Sequence, residues 1–392
     1  MTDSSEKNEV GISEIAGAIP GWFIESAKMA KEQQLPLEYV NGGLGLTQAR
    51  IPYNTSLEEL VIQALGKINY QDAERFILAT ESDYDLSKAV ISISSINKKL
   101  GLTKVPFQLK FACLAGVQAL LLASEYSMVH GKPSIVIVVD RSLYGNNKAE
   151  VTQGSGAIAM RIEKNPELLS LDFRNYGQYA QDIEDFKIPV RSAPVPEVDG
   201  PLTKPAYIKC VIKAFEDYKL KNPESQSILD KIDYIVMHTP FPKMVVWASA
   251  ALWRYEKLKG KDFINLLEES IENPSLFTDF KEQLDKVRKK PDFQEFFDQK
   301  VRQGLKYNSH IGNCYNVSVF ISLLSVLEQI QAGKEVLIMG YGSGSGSLAL
   351  KGRGVKGGFK SDIENQIKNG KELTTDQYQE WKNKTLKEIR GD

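Results

Sequence analysis

Cysteine and histidine are scarce in this 392-residue chain, with three of each. Three cysteines cannot close into a full set of disulfides, and Cys113, Cys210 and Cys314 lack metal-ligand spacing such as Cys-x-x-Cys. A disulfide framework and a zinc site are therefore not expected. Net charge is also lacking: 49 basic against 50 acidic residues leave −1, which offers no bulk field to nucleic acid or an anionic membrane. No window supplies the roughly 20 uninterrupted apolar residues of a bilayer span. The opening residues, Met1 to Lys7, are polar where a secretion signal needs an apolar core. The expectation is a cytoplasmic protein in a reducing compartment, without a metal and without nucleic acid or membrane as partner. Any anionic ligand must be held by local groups.

What is present is the composition of a globular enzyme, 42% hydrophobic and 25% charged, over a length that allows one large domain or two. Four apolar runs end abruptly at polar or glycine positions: Phe76–Ala79 before Glu81, Ile135–Val139 before Asp140, Tyr234–Met237 before His238, and Val336–Met339 before Gly340. Continuous apolar strands belong in sheets buried on both faces, so the informative residues sit at strand ends. Helical spacing runs from Ala115 to Tyr126 and from Val317 to Gln331. A layered α/β protein is expected. In residues 254–306 phenylalanines and leucines recur among mixed charges, which predicts amphipathic surface helices broken at Pro274 and Pro291, forming a lid or covering insertion. The basic, glycine-rich Lys351–Gly358 lacks the Gly-Lys-Ser/Thr ending of a phosphate loop and is expected to be a flexible hairpin or turn.

Three windows carry reactive side chains. Cys113, in Phe-Ala-Cys-Leu-Ala-Gly, precedes a helix whose N-terminal dipole and free amides favour a thiolate. His238 closes an apolar strand before a Thr-Pro turn, whereas His130 and His310 read as structural histidines. Glu81, in Ala-Thr-Glu-Ser, ends another strand, where desolvation raises a carboxyl towards the range useful for proton transfer. Each has a plainer alternative alone: a buried thiol, a satisfied imidazole, a salt-bridged glutamate. Together a nucleophilic thiol, a proton-shuttling carboxyl and an imidazole that polarises a carbonyl are what a thioester-based carbon–carbon condensation needs. Gly340-Tyr341-Gly342-Ser343-Gly344 would let backbone amides approach an oxyanion, although its continuation through Ser347 also suits a flexible loop.

These windows resemble hydroxymethylglutaryl-CoA synthase. The resemblance rests on the order of His238-Thr-Pro-Phe-Pro-Lys243, Thr152-Gln-Gly-Ser-Gly-Ala157, Val198-Asp199-Gly200, Gly312-Asn313-Cys-Tyr315 and Tyr341-Gly-Ser-Gly344, with a weaker echo around Gln377 and Trp381. It implies a thiolase-like five-layered αβαβα fold with internally duplicated halves. Residues 1–165 would carry Glu81 and Cys113, and residues 166–350 would carry His238, Asn313 and Ser343 with a helical insertion at 254–306. Residues 351–392 would form a hairpin and helix extension. The implied enzyme is an acyltransferase of the mevalonate route to isoprenoids and a homodimer. It condenses acetyl-CoA with acetoacetyl-CoA through an acetyl-cysteine, with CoA thioesters as substrates and no cofactor. In that family the glutamate, cysteine and histidine are the catalytic trio, which implies those roles for Glu81, Cys113 and His238. Asn313 and Ser343 match residues that contact the acetoacetyl group or hold the thioester oxygen. Asp140, Tyr144 and Asp185 match polar supporting positions, and Thr152, Gly200 and Lys243 fall near the CoA chain.

The chain also departs from the family pattern. Leu114 and Val117 stand where the family commonly has Tyr and Thr, the neutral pair Val246-Trp247 replaces a second basic residue, and Ile188 replaces another. Phosphate contacts would then fall to residues such as Arg50 or Lys204. Two other readings stay open: a condensing enzyme acting on carrier-protein-bound acyl groups in polyketide β-branching, and a noncatalytic thiolase-like scaffold subunit.

Overall fold

A computed structural model describes residues 9–82, 93–145, 148–188, 195–223, 227–258 and 261–390; the polar opening from Met1 to Lys7 lies outside them. The apolar runs become strands of one mixed sheet: β1 (Val10–Ala18), β2 (Arg75–Ala79), β3 (Phe107–Leu109), β4 (Ser134–Arg141), β5 (Ser155–Lys164), β6 (Leu169–Leu171), β7 (Gly177–Ile183), β8 (Tyr234–Met237), β9 (Glu335–Gly342) and β10 (Gly344–Gly354). Their order is β8-β9-β10-β6-β1-β5-β4-β2-β3, with β7 also pairing β10. The longer helices are α1 (Leu57–Leu65), α2 (Ala115–His130), α3 (Gly200–Lys221), α4 (Pro242–Leu258), α5 (Lys261–Glu272), α6 (Phe277–Arg288), α7 (Pro291–Lys300), α8 (Val317–Leu327) and α9 (Thr375–Arg390).

The pairing repeats itself. In the first half β2 runs parallel to β4, β4 turns antiparallel into β5, and β5 pairs β1. In the second half β8 runs parallel to β9, β9 turns into β10, and β10 pairs β7. The short β6 pairs both β1 and β10 and joins the two halves into one sheet. Five layers follow from the burial. Residues of α2 and α8 share a core with the inner faces of both halves, including Ile77, Val138, Phe320 and Ile338. The outer face of the first half packs under α1, and that of the second under α3 and α4. A helix with sheet on both sides is apolar all round. This explains why residues 112–130 are apolar enough to cross a membrane by length and composition while two-thirds of them are buried within the fold.

The segment from 254 to 306 forms the expected amphipathic helices, and their apolar faces join the core. Along α6, Phe277, Phe280, Leu284 and Val287 keep helical spacing, and all four are buried in the cluster that holds α3 and α4. Each buried side chain of this size contributes about 1.5–3 kcal/mol relative to exposure. Pro274 opens a one-turn helix and Pro291 opens α7, so the prolines start elements in which their missing N–H is harmless. Lys351 to Arg353 are strand rather than flexible turn, in register with Leu337 to Glu335 of β9, and Gly354 pairs with Leu169 of β6, while residues 355–358 leave the strand as irregular chain. The C-terminal helix is fastened by a buried ion pair: Glu150 accepts from Lys382 Nζ at 2.7 and 2.8 Å, from Tyr378 Oη at 2.5 Å and from Gln33 Nε2 at 2.8 Å.

Candidate active site

β2 and β8 occupy equivalent places in the two halves, and both stop where side chains take over from the backbone ladder. Beyond Ala79 the chain meets Asp140, at the end of the neighbouring strand β4. Asp140 Oδ1 accepts from Thr80 Oγ1 at 3.1 Å, Glu81 N at 2.7 Å, Ser82 N at 3.0 Å and Ser82 Oγ at 2.9 Å. One carboxylate thus shapes the turn that presents Glu81. Burial pushes Asp140 up to about 6, restrained by donors from Asn316, Glu81 and Ser82.

Glu81 is buried, and burial raises its pKa to about 7; Lys110 pulls the other way and the Asp140 charge adds to the rise. The Ala112 N–H donates to the carboxyl, while Oε2 has no hydrogen-bond partner among the described residues. Ala112 has left-handed backbone, φ 41°, which an alanine holds only when its surroundings impose it. Cys113 follows at once, before the turn that starts α2, and is 8% exposed. The expected thiolate is not the resting form. Burial, and then the charges of Asp140, Glu81 and Asp185, raise the thiol well above its ordinary value.

Cys113 packs with Tyr144 and Tyr315, and Ala149, Phe186 and Val198 close the cluster. Asn313 Nδ2 donates to Tyr144 Oη at 3.0 Å, and Asn313 N donates to the Thr152 carbonyl at 2.7 Å; the Thr152 side chain also bonds Tyr144. Tyr315 is the second left-handed non-glycine residue of the site, φ 45°.

His238 continues the β8 ladder with its N–H to Met339 O at 2.9 Å, and its carbonyl accepts from Tyr207 Oη at 2.6 Å. Its Nδ1 lies 2.7 Å from Ser318 Oγ, which itself accepts the Thr239 N–H at 3.0 Å. The serine's own proton is then directed at Nδ1, leaving the ring proton on Nε2. A ring N–H reaches the Tyr315 carbonyl, the residue that packs on Cys113. Burial holds the imidazole down at about 3, so it is a neutral donor.

The glycine hairpin between β9 and β10 lies against the loop of Cys113: a Cβ on Gly342 would sit 2.6 Å from the Phe111 carbonyl oxygen. Glycine is there for close approach, and the run is strand rather than flexible loop. Asp185, raised by burial, accepts from Gly344 N at 3.0 Å, Tyr341 Oη at 3.2 Å and the Ser343 side chain, so the Gly344 amide is committed to it. The Asp185 carbonyl accepts from Asp199 N at 2.9 Å, which ties the turn before Gly200 to the same place.

Lys243 keeps different company, facing Lys281, Asp285 and Arg288 of α6. Asp285 pairs both Lys281 (2.7 Å) and Arg288 (2.6 Å), and Lys204 of α3 is repelled by Lys281. Burial lowers Lys243 and Lys204, and the surplus of positive charge adds to it. Arg50 does not join them. It is fully buried, donates to the carbonyls of Pro20, His310, Gln366 and Ile367, and falls to about 10 through burial. Sequence reading missed Ser318 and Asn316, whose only mark is that they are polar at the start of an apolar helix. No group of three or more histidines, cysteines or carboxylates that could hold a metal occurs among the described residues.

The family model described as hydroxymethylglutaryl-coenzyme A synthase C terminal matches residues 169–388, more than half of the chain. A hydroxymethylglutaryl-CoA synthase of Enterococcus faecalis is 26% identical over 389 residues, covering 94% of this chain and 90% of the relative. Among solved structures, an HMG-CoA synthase complexed with CoA superimposes with a TM-score of 0.77 at 24% identity, over 95% of this chain and 90% of that one. The HMG synthase of the curacin biosynthetic pathway superimposes at 0.79 and 22% identity, over 97% and 89%.

Proposed function

The chain belongs to the hydroxymethylglutaryl-CoA synthase family, and from that premise we propose that it joins acetyl-CoA to acetoacetyl-CoA through an acetyl group carried on Cys113. The observation that carries this reading is the meeting of a buried thiol, a carboxyl poised at about 7 and a neutral imidazole around Tyr315 and Asp140.

In the first half-reaction Cys113 Sγ attacks the acetyl carbonyl carbon, the bond to the CoA sulfur breaks, and CoA leaves as the thiol. Because the buried thiol resists ionisation, its proton moves as the new bond forms. Glu81 then takes a proton from the acetyl methyl, and the resulting carbon attacks the ketone of acetoacetyl-CoA. The alkoxide receives that proton back from Glu81, while Asn313 and the His238 N–H, which exchanges the Tyr315 carbonyl for the incoming oxygen, hold acceptor oxygens. Water finally cleaves the thioester on Cys113, giving a carboxylate and the free thiol. Tyr144, Asp140 and Asp185 support the site, and Ser343 lines the acceptor side with Thr152 and Gly200 along the pantetheine arm. The CoA phosphates fall to Lys243, Lys204, Lys281 and Arg288, which makes good the basic residue absent at Val246-Trp247. No step calls for a further cofactor.

The product is the branched precursor of the mevalonate route, made in the cytoplasm, where three free buried cysteines suit a reducing milieu. A homodimer is supported by β3, which ends the sheet among the described residues. There Val105 and Phe107 are exposed, and Leu122 and Val129 form an exposed stripe on the adjoining α2.

The test is incubation of the protein with acetyl-CoA and acetoacetyl-CoA, with free CoA and the six-carbon product measured by mass spectrometry beside Cys113→Ser. Product that disappears with the variant supports the reading. Acetylated Cys113 without product moves the acceptor to a carrier-bound acyl group, and absence of any acetylation removes the proposed chemistry.

A further inference from the structure

Asn316 touches three separate parts of the site with one side chain. Its Nδ2 donates to the Ala112 carbonyl at 2.7 Å and to Asp140 Oδ2 at 2.9 Å; its Oδ1 accepts the Gly116 N–H at 2.8 Å; its own N–H donates to Asp140 Oδ2 at 3.0 Å. It is fully buried, and all these contacts cross about 200 residues or nearly so, joining the second half of the chain to the first. Ala112 and Tyr315, the two left-handed non-glycine residues of the site, are respectively its acceptor and its chain neighbour. Ala112 also gives its N–H to Glu81. The amide therefore fixes the carbonyl of the residue whose own N–H meets Glu81, and it holds the Asp140 oxygen opposite the one that shapes the Glu81 turn.

We propose that Asn316 is a positioning residue that keeps Glu81 in register with the acetyl group on Cys113, by clamping Ala112, Gly116 and Asp140 to one planar amide. This rests on the functional reading above. Serine in its place keeps one donor, and alanine none. An untethered Ala112 relaxes from φ 41°, the Cys113 loop loosens, and the methyl of an acetyl-Cys113 drifts from the Glu81 carboxyl. The titratable groups around Asp140 and Glu81 are Cys113, Cys314, Asp185 and Lys110, and substitution of Asn316 alters none of them directly.

The experiment compares the full chain with Asn316→Ala and Asn316→Ser in two ways: alkylation of Cys113 by iodoacetamide in the absence of substrate, and steady-state condensation across pH. Expected is a fall in kcat of about 30-fold or more for alanine and a smaller one for serine. KM for both substrates should stay within about threefold, because the amide touches no CoA group. Alkylation of the buried thiol should quicken about fivefold or more. The limb of kcat near pH 7, set by Glu81, should move to lower pH, because Asp140 loses the Asn316 side-chain donor, holds its proton more tightly and so places less negative charge beside Glu81. Serine carries the comparison if alanine does not fold. Unchanged alkylation with unchanged kcat and pH profile overturns the proposal. Absence of condensation by the unaltered protein refutes the functional reading instead, and the alkylation rates still judge Asn316.

Discussion

The two halves of this molecule place a polar side chain at the same topological point, the end of the first strand of a parallel pair, and give it opposite electrostatics. At the end of β2 burial drives Glu81 up to about 7 and the neighbouring Asp140 up to about 6. At the end of β8 burial drives His238 down to about 3. The cause is one and the same: desolvation favours the neutral form, which raises an acid and lowers a base. What differs is the company. Glu81 has a second carboxylate beside it and a buried cysteine to serve, whereas the ring nitrogen of His238 meets a serine hydroxyl rather than a carboxylate. One half can therefore exchange protons near neutrality, and the other can only donate a hydrogen bond.

The sharpest way to break this division of labour is to remove the exchanging group. Glu81→Ala should lower condensation by about 10²–10⁴-fold, the range of a lost general base, while mass spectrometry still finds acetyl on Cys113. In the unaltered protein the rate should climb as pH rises through about 7, because Glu81 acts once it has lost its proton. That limb should vanish in the variant. If it persists, another group titrates and the contrast between the halves fails.

A smaller effect tests the other half. Ser318→Ala removes the hydroxyl that donates to Nδ1, so once substrate takes the ring N–H from the Tyr315 carbonyl a share of the rings turns an acceptor towards the substrate oxygen. Condensation should fall by about tenfold to a hundredfold, less than the loss of an oxyanion donor outright. The limb near 7 should stay where it is, because the serine touches a ring that does not titrate there. Movement of the limb would mean that His238 carries the exchanging proton.

The chain announced much of this. Apolar runs stopped by Glu81, Asp140 and His238 were legible because a strand buried on both faces has to be apolar until it reaches its end. The strand limits followed within about three residues for the same reason. Three things could not be read. The state of Cys113 depends on three carboxylates brought from separate parts of the chain, and the dipole of α2 was the only part of that field written locally. Asn316 and Ser318 lie in a helix start whose partners are 80 or more residues away, so no spacing rule points to them. Residues 254–306 looked like a cover because charges alternate with aromatics; the phenylalanines fall on one helical face, and that face closes the layer beneath it. Arg50 looked free for a phosphate only because sequence does not show the four carbonyls that enclose it.

The smallest predicted effect is on stability, and it runs in opposite directions for the two halves. Glu81 binds its proton more tightly folded, at about 7, than in an unfolded chain near 4.5. Stability is then fully present below 4.5 and is lost as pH rises through 7. Glu81→Gln keeps an acceptor for the Ala112 N–H and removes the charge, so it should stabilise the protein by about 1–3 kcal/mol at pH 8 and by almost nothing towards pH 4.5. His238 binds its proton less tightly folded, at about 3 against 6.5, so stability is present above 6.5 and is lost as pH falls. His238→Gln should therefore gain relative stability only in acid. Urea unfolding midpoints of both variants at pH 5.5 and 8.5 decide the matter. Gains that rise with pH for Glu81→Gln and fall with pH for His238→Gln mean that each half gives up stability to keep its group uncharged at rest, and parallel trends would show that the two strand ends are not electrostatic opposites.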